Sequence, residues 1–193
     1  MEIKTAGRVS DEIIGLYEQY GNEDYIGEPV SQLEHMVQAA ELAEAKGYDE
    51  EVVLAAFFHD IGHLVAMQDT YASMNGLGAV SHEKIGSDYL RRKGFSDKIA
   101  QLVESHVQAK RYLTCKYPEY YNQLSDASKK TLEYQGGKMT IEEAAAFETD
   151  PLFDLKIQMR KWDEEAKETN RMMNNWRKYG EMMKKHLLSN SNP

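Results

Sequence analysis

Apolar residues recur along this chain at three- and four-residue intervals and seldom alternate. That is the period of helices, not of strands. Ile13, Ile14, Leu16 and Tyr17 predict a first helix over Ser10 to Tyr20, opened by a Ser-Asp cap. Gly21, Gly27 and Pro29 then break the pattern into a loop. Ser31, with Glu34 three residues on, predicts a capped second helix to about Lys46, stopped by Gly47 and striped by Leu33, Met36, Val37, Ala40 and Ala43. A near-continuous apolar run predicts a third helix from about Asp49 to Val65. Residues 66–81 are rich in Gly, Ser and Asn and read as a long connection, a length that often carries function. Helices follow over 82–94 and from Ser96 to Tyr112, and a helical turn runs from Ser125 to a glycine pair. A short helix is opened by Thr140 and Glu143, and another by Pro151. The amphipathic tail, 171–188, predicts a last helix docked on the core. The pattern describes an all-α chain: a single domain over 1–193, with a core of about 31–170 and no repeat or linker.

Composition narrows the class. The chain has 193 residues, 41% hydrophobic and 28% charged, enough to bury one sizeable core. A net charge of -9 disfavours nucleic acid and anionic membranes as partners. One cysteine, Cys115, leaves neither a disulfide framework nor a thiolate zinc site. No apolar run reaches membrane length, and the first residues lack a basic start and apolar core, so a cytoplasmic protein is expected.

The chemistry lies in FFHDIGH, Phe57 to His63. A His-Asp pair inside an apolar run is costly as packing, because a buried carboxylate must be paired or bound to metal. His35, His82 and His106 fall near apolar stripes on other helices, and Asp163 sits beside Trp162 on a late one. With His59 and Asp60 they make six candidate ligands. Six exceed the four that a zinc ion usually takes and suit two ions sharing Asp60 as a bridge. His186, in KKHLL, reads as an ordinary packed histidine. Taken singly, His35, His82 and His106 would read the same way; together with the His-Asp pair they point to metal. Lys110 lies four residues after His106, Arg160 three before Asp163, and His63 four after His59, so each ligand has a polar or cationic neighbour on its own helix face. That arrangement suits an anionic group beside a metal. Gln135, in EYQGG, is a further candidate.

The runs DYIGEPVSQLEH, AAFFHDIGH, SHEKIGSDYLRRKGFS, ESHVQAKRYL, LSDASKKTLEYQGG and IQMRKWDEEAK resemble the HD-domain superfamily. Within it they resemble the mixed-valence di-iron oxygenases that cleave organophosphonates. The resemblance spans roughly residues 20–170. It implies a helical bundle around a dinuclear centre, with one iron held by His35, His59, Asp60 and Asp163 and the other by Asp60, His82 and His106. It implies phosphonate contacts from His63, Lys110, Ser128 and Arg160. It also implies that Tyr25 occupies an iron position at rest and swings away, while Glu28 meets a cationic substrate nitrogen. The cofactors implied are an Fe(II)/Fe(III) pair, with molecular oxygen as co-substrate. The substrate implied is (R)-1-hydroxy-2-(trimethylammonio)ethylphosphonate, giving glycine betaine and phosphate, or its 2-amino analogue, giving glycine.

Two other readings remain open on the sequence. A dinuclear site with Lys and Arg would also serve an HD phosphohydrolase using metal-activated water. A non-catalytic HD module that senses a ligand is the second, and the complete ligand set disfavours it.

Overall fold

The computed structural model describes the chain except residues 26, 69–73, 75–77, 174 and 191–193. Among the described residues there are eleven helices and no strand, and an isolated bridge joins Asp24 and Ser31. In chain order they are α1 (Ile3–Tyr20), α2 (Gln32–Ala45), α3 (Glu50–Phe58), α4 (Ile61–Gln68), α5 (His82–Lys93), α6 (Asp97–Lys116), α7 (Pro118–Gln123), α8 (Asp126–Tyr134), α9 (Ile141–Glu148), α10 (Phe153–Glu165) and α11 (Lys178–Ser189).

The punctuation read from the sequence is largely realised. Ser31 and Glu34 form a reciprocal capping box, as do Thr140 and Glu143. The Ser96 and Ser125 side chains cap α6 and α8. Five expectations shift. α1 begins at Ile3, and Ser10 is not a cap: its hydroxyl lies mid-helix and donates to Gly180 O at 2.8 Å, tying α1 to α11. α6 runs on to Lys116, where α7 starts at Pro118 without a sequence expectation behind it. α10 opens at Phe153, just beyond Pro151, and the last helix opens at Lys178 rather than 171.

The fifth shift matters most. The expected helix over 49–65 is two helices, and His59-Asp60 is the break between them. Ending α3 at Phe58 frees carbonyls that a continuing helix would have used. The His59 ring donates from Nδ1 to Ala56 O at 2.8 Å, and Tyr17 Oη donates to Phe57 O at 2.6 Å. The break thus has polar partners on both sides, and it turns His59 and Asp60 toward one point.

α2, α3, α6 and α10 pack on one another, α5 lies between α4 and α6, and α11 closes the outer face against α1 and α3. The main core joins Tyr17, Phe57, Phe58, Leu54, Trp162 and Tyr179. Gly62 governs the crossing of α4 and α5. A β-carbon there would stand 1.9 Å from His82 O. Only glycine lets α5 approach closely enough for its first residue, His82, to reach Asp60.

Candidate metal and substrate site

The six candidate ligands, drawn from distant parts of the chain, converge. His35, His59, Asp60, His82, His106 and Asp163 are all buried. The Asp60 carboxylate is the hub. Its Oδ1 lies 3.3 Å from His82 Nε2 and 3.3 Å from His106 Nε2, and its Oδ2 lies 3.5 Å from His59 Nε2 and 3.7 Å from His35 Nε2. Asp163 adds Oδ1 at 3.4 Å from His35 Nε2. One carboxylate oxygen of Asp60 therefore serves each half of the site.

The donor set fits a pair of metal ions. His35 Nδ1 donates to Ala166 O at 2.9 Å and His59 Nδ1 to Ala56 O, which leaves a lone pair on each Nε2. Those two nitrogens face each other at 2.9 Å. Opposed lone pairs repel unless a cation lies between them. Two nitrogens each about 2.1 Å from one ion and at right angles would stand about 3.0 Å apart. His82 and His106 repeat the spacing at 2.9 Å, with His106 Nδ1 donating to Val103 O at 2.7 Å.

Two groups of donor atoms lie within metal-binding reach of one another: His35, His59 and Asp163, and Asp60, His63 and His82. His63 is the member that sequence reasoning set elsewhere. Its Nδ1 accepts from Ala79 N at 3.2 Å, so Nε2 carries the hydrogen and is a donor. Its ring stacks on His82 with centroids 4.0 Å apart. His106, 3.3 Å from Asp60, is the better third partner on that side.

The protonation states of His59, Asp60 and Asp163 suit metal as well. Burial pushes His59 down to about 4 and His63 to about 3, so both are neutral at pH 7. Burial alone would raise Asp60 and Asp163. The surrounding imidazoles hold Asp60, and Arg160 with His35 and His59 holds Asp163, well below the usual carboxylate range. Neutral imidazole and ionised carboxylate are the forms that bind metal.

Beside this cluster lies a cavity of about 60 Å³, onto which Tyr25, Glu28, His63, Lys110, Ser128, Gln135 and Arg160 all open. Every substrate-contact residue expected from the sequence is brought to this one space. Tyr25 stacks on His35 at 3.9 Å and donates from Oη to Asp163 Oδ1 at 3.3 Å. Arg160 is held on every side: NH1 pairs with Asp163, NH2 donates to Ser128 Oγ at 3.2 Å, and Nε donates to Tyr120 Oη at 2.8 Å and Glu164 Oε1 at 3.0 Å. Lys110 Nζ donates to Thr131 Oγ1 at 3.0 Å. Burial first, then the positive charge of Arg160, brings it down to about 7. Gln135 Oε1 is buried without a hydrogen-bond partner among the described residues, and Gln32 Oε1, also on the cavity, is the same.

Gln32, Thr131 and Lys167 line the cavity too, and sequence reasoning missed them. Lys167 pairs with Glu28 Oε1 at 2.7 Å. The available signal was its place four residues after Asp163, the same spacing that singled out Lys110. His186, read as an ordinary packed histidine, is one: its Nε2 accepts from Ser96 N at 3.2 Å and its ring stacks on Phe95. Of the long connection, residues 69–73 and 75–77 lie outside the described residues. Its described Met74 lines the cavity. No helix of the described residues is long and apolar enough to cross a membrane.

Comparison with known proteins places this geometry. The HD domain model matches residues 33–152. The chain is 46% identical over 180 residues to uncharacterized protein L432 of Acanthamoeba polyphaga mimivirus, covering 93% of this chain and 82% of that one. It is 41% identical over 161 residues to the [1-hydroxy-2-(trimethylamino)ethyl]phosphonate dioxygenase (glycine-betaine-forming) of Leisingera caerulea, covering 83% and 81%. It is 37% identical over 166 residues to the hydroxymethylphosphonate dioxygenase of Gimesia maris, covering 85% and 81%.

Proposed function

This chain belongs to the HD-domain phosphonate oxygenases, and from that membership we propose that it cleaves the C–P bond of a hydroxyphosphonate carrying a cationic nitrogen, with a di-iron centre. The preferred substrate is (R)-1-hydroxy-2-(trimethylammonio)ethylphosphonate, converted with dioxygen to glycine betaine and phosphate. The 2-amino analogue, giving glycine, is the second choice. The observation that carries the reading is the divided Asp60 carboxylate, one oxygen turned to His82 and His106 and the other to His35 and His59. A phosphohydrolase could use such a hub, but the two dioxygenase relatives favour oxygen chemistry. Zinc has no redox chemistry, whereas iron accepts mixed imidazole and carboxylate ligation.

One ion would be held by His35, His59, Asp60 and Asp163, and the other by Asp60, His82 and His106. When bound, the pair supplies the activation of dioxygen that the side chains cannot perform. The remaining work falls to this chain's own residues. Lys110, Arg160, Ser128 and the Nε2–H of His63 hold the phosphonate oxygens, and Gln135 lies beside them. Charge-assisted donors of this kind orient the C1–P bond over the cluster and offset the negative charge of the phosphate that departs. Glu28 attracts the trimethylammonium group, and the Tyr25 ring offers it a π face. Tyr25, stacked on His35, also shields the ligands from water until substrate displaces it.

The test is direct. Purified protein is assayed for metal content and for phosphate release from the trimethylammonio, amino and hydroxymethyl phosphonates, with and without oxygen. Two irons per chain, oxygen-dependent phosphate and a preference for the trimethylammonio compound are expected. Oxygen-independent release with manganese would make the protein a hydrolase instead, and no release under either condition with iron bound would make it a sensor.

A further inference from the structure

The cation subsite of this cavity already contains a cation from the chain itself. Lys167 Nζ lies 2.7 Å from Glu28 Oε1 and 5.8 Å from the centroid of the Tyr25 ring. Those are the carboxylate and the aromatic face assigned to the substrate's ammonium group. From this juxtaposition we infer that Lys167 is a specificity-determining residue, a built-in competitor that a cationic substrate must displace. The inference rests on the proposed cationic substrate.

The backbone around Lys167 is pinned, so displacement is a side-chain event. On one side Ala166 O accepts from the His35 ring. On the other, Gln38 grips Glu168 twice, donating from Nε2 to Glu168 O and accepting from Glu168 N, both at 2.9 Å. The lysine stem has somewhere to go. A second, outer cavity shares Glu28, Ser128, Arg160 and Lys167 with the inner one and adds the Glu164 carboxylate. Lys167 and Glu28 thus form part of the wall between the two spaces. Swinging from Glu28 toward Glu164 would free the subsite and open the wall together.

The competitor has a sorting effect. A cationic substrate replaces one Glu28 pair with another, so the charge balance of the cavity is kept. A neutral substituent would leave the Lys167 pair standing and make no use of Glu28. The ion pair is part-exposed, so its removal should shift affinity modestly, by about three- to tenfold.

The experiment titrates the iron-loaded protein with each phosphonate under anaerobic conditions, by calorimetry, in the wild type, Lys167→Met and Lys167→Arg. Lys167→Met should bind the trimethylammonio compound about three- to tenfold more tightly, while the hydroxymethyl compound gains nothing. Lys167→Arg should keep the competition. In a Glu28→Gln background the Lys167→Met gain should vanish. Unchanged affinity for the cationic compound in Lys167→Met, or equal weakening for both compounds, overturns the proposal; the latter would make Lys167 a phosphonate contact. If the wild type turns over the cationic compound but Lys167→Met shows no gain, the competitor fails and the substrate reading stands. If the wild type does not bind it and Lys167→Met does, the competitor stands and the substrate reading fails. Binding by neither overturns both.

Discussion

Asp60 is the residue on which both halves of the site depend. Asp60→Asn keeps the shape but removes the charge that four imidazoles face. Metal content should fall from two ions per chain to below one, by elemental analysis, with oxygen-dependent phosphate release lost. Lys110 offers a pH test. Burial holds it down to about 7, against about 10.4 in an unfolded chain. Between those values the unfolded chain holds a proton that the native one lacks, so this residue makes stability rise with pH from about 7 to about 10.4. Denaturant melts of chelator-treated protein across that window should show the rise, and Lys110→Met should flatten it. Arg160→Lys keeps the charge but loses the fork shared by Asp163, Ser128, Tyr120 and Glu164. Iron should remain, while KM for the phosphonate rises about tenfold or more, the loss of one to two charge-assisted hydrogen bonds.

At the scale of elements, the legible features were those with local causes. Capping side chains, glycine stops and helical stripes depend on neighbours a few residues away, and they appear where the pattern puts them. The break between α3 and α4 was not legible. VVLAAFFHDIGHLV is helical by local preference, and the interruption rests on Tyr17, forty residues distant, accepting the task of satisfying Phe57 O. The start of α1 was missed for a similar reason: Ser10 looks like a cap, yet its partner is Gly180 on α11. The candidate ligands could be grouped because buried His and Asp are costly without metal. The Lys167–Glu28 pair could not, because charge pairing across 139 positions leaves no local trace. Gly62 can be tested at this scale. Gly62→Ala puts a methyl group against backbone that cannot yield, His82 O at 1.9 Å. It should cost about 1–3 kcal/mol, read by thermal unfolding, and should lower metal content by moving α5 off Asp60.

For the molecule as a whole, metal and fold should be coupled. The proposed ligands come from α2, the α3–α4 break, α5, α6 and α10, so removing the ions would leave ionised carboxylates and opposed imidazole lone pairs in the core. Chelation should lower Tm, and re-addition of iron should restore it, because an ion that binds only the native state stabilises it by mass action. The divided carboxylate of Asp60 adds a consequence for assembly. An ion bound on either side would fix the tilt of that group and so shape the site opposite. Uptake of the two ions should therefore be cooperative, a titration curve steeper than two independent sites would give, with the half-filled protein scarce at every stage of loading.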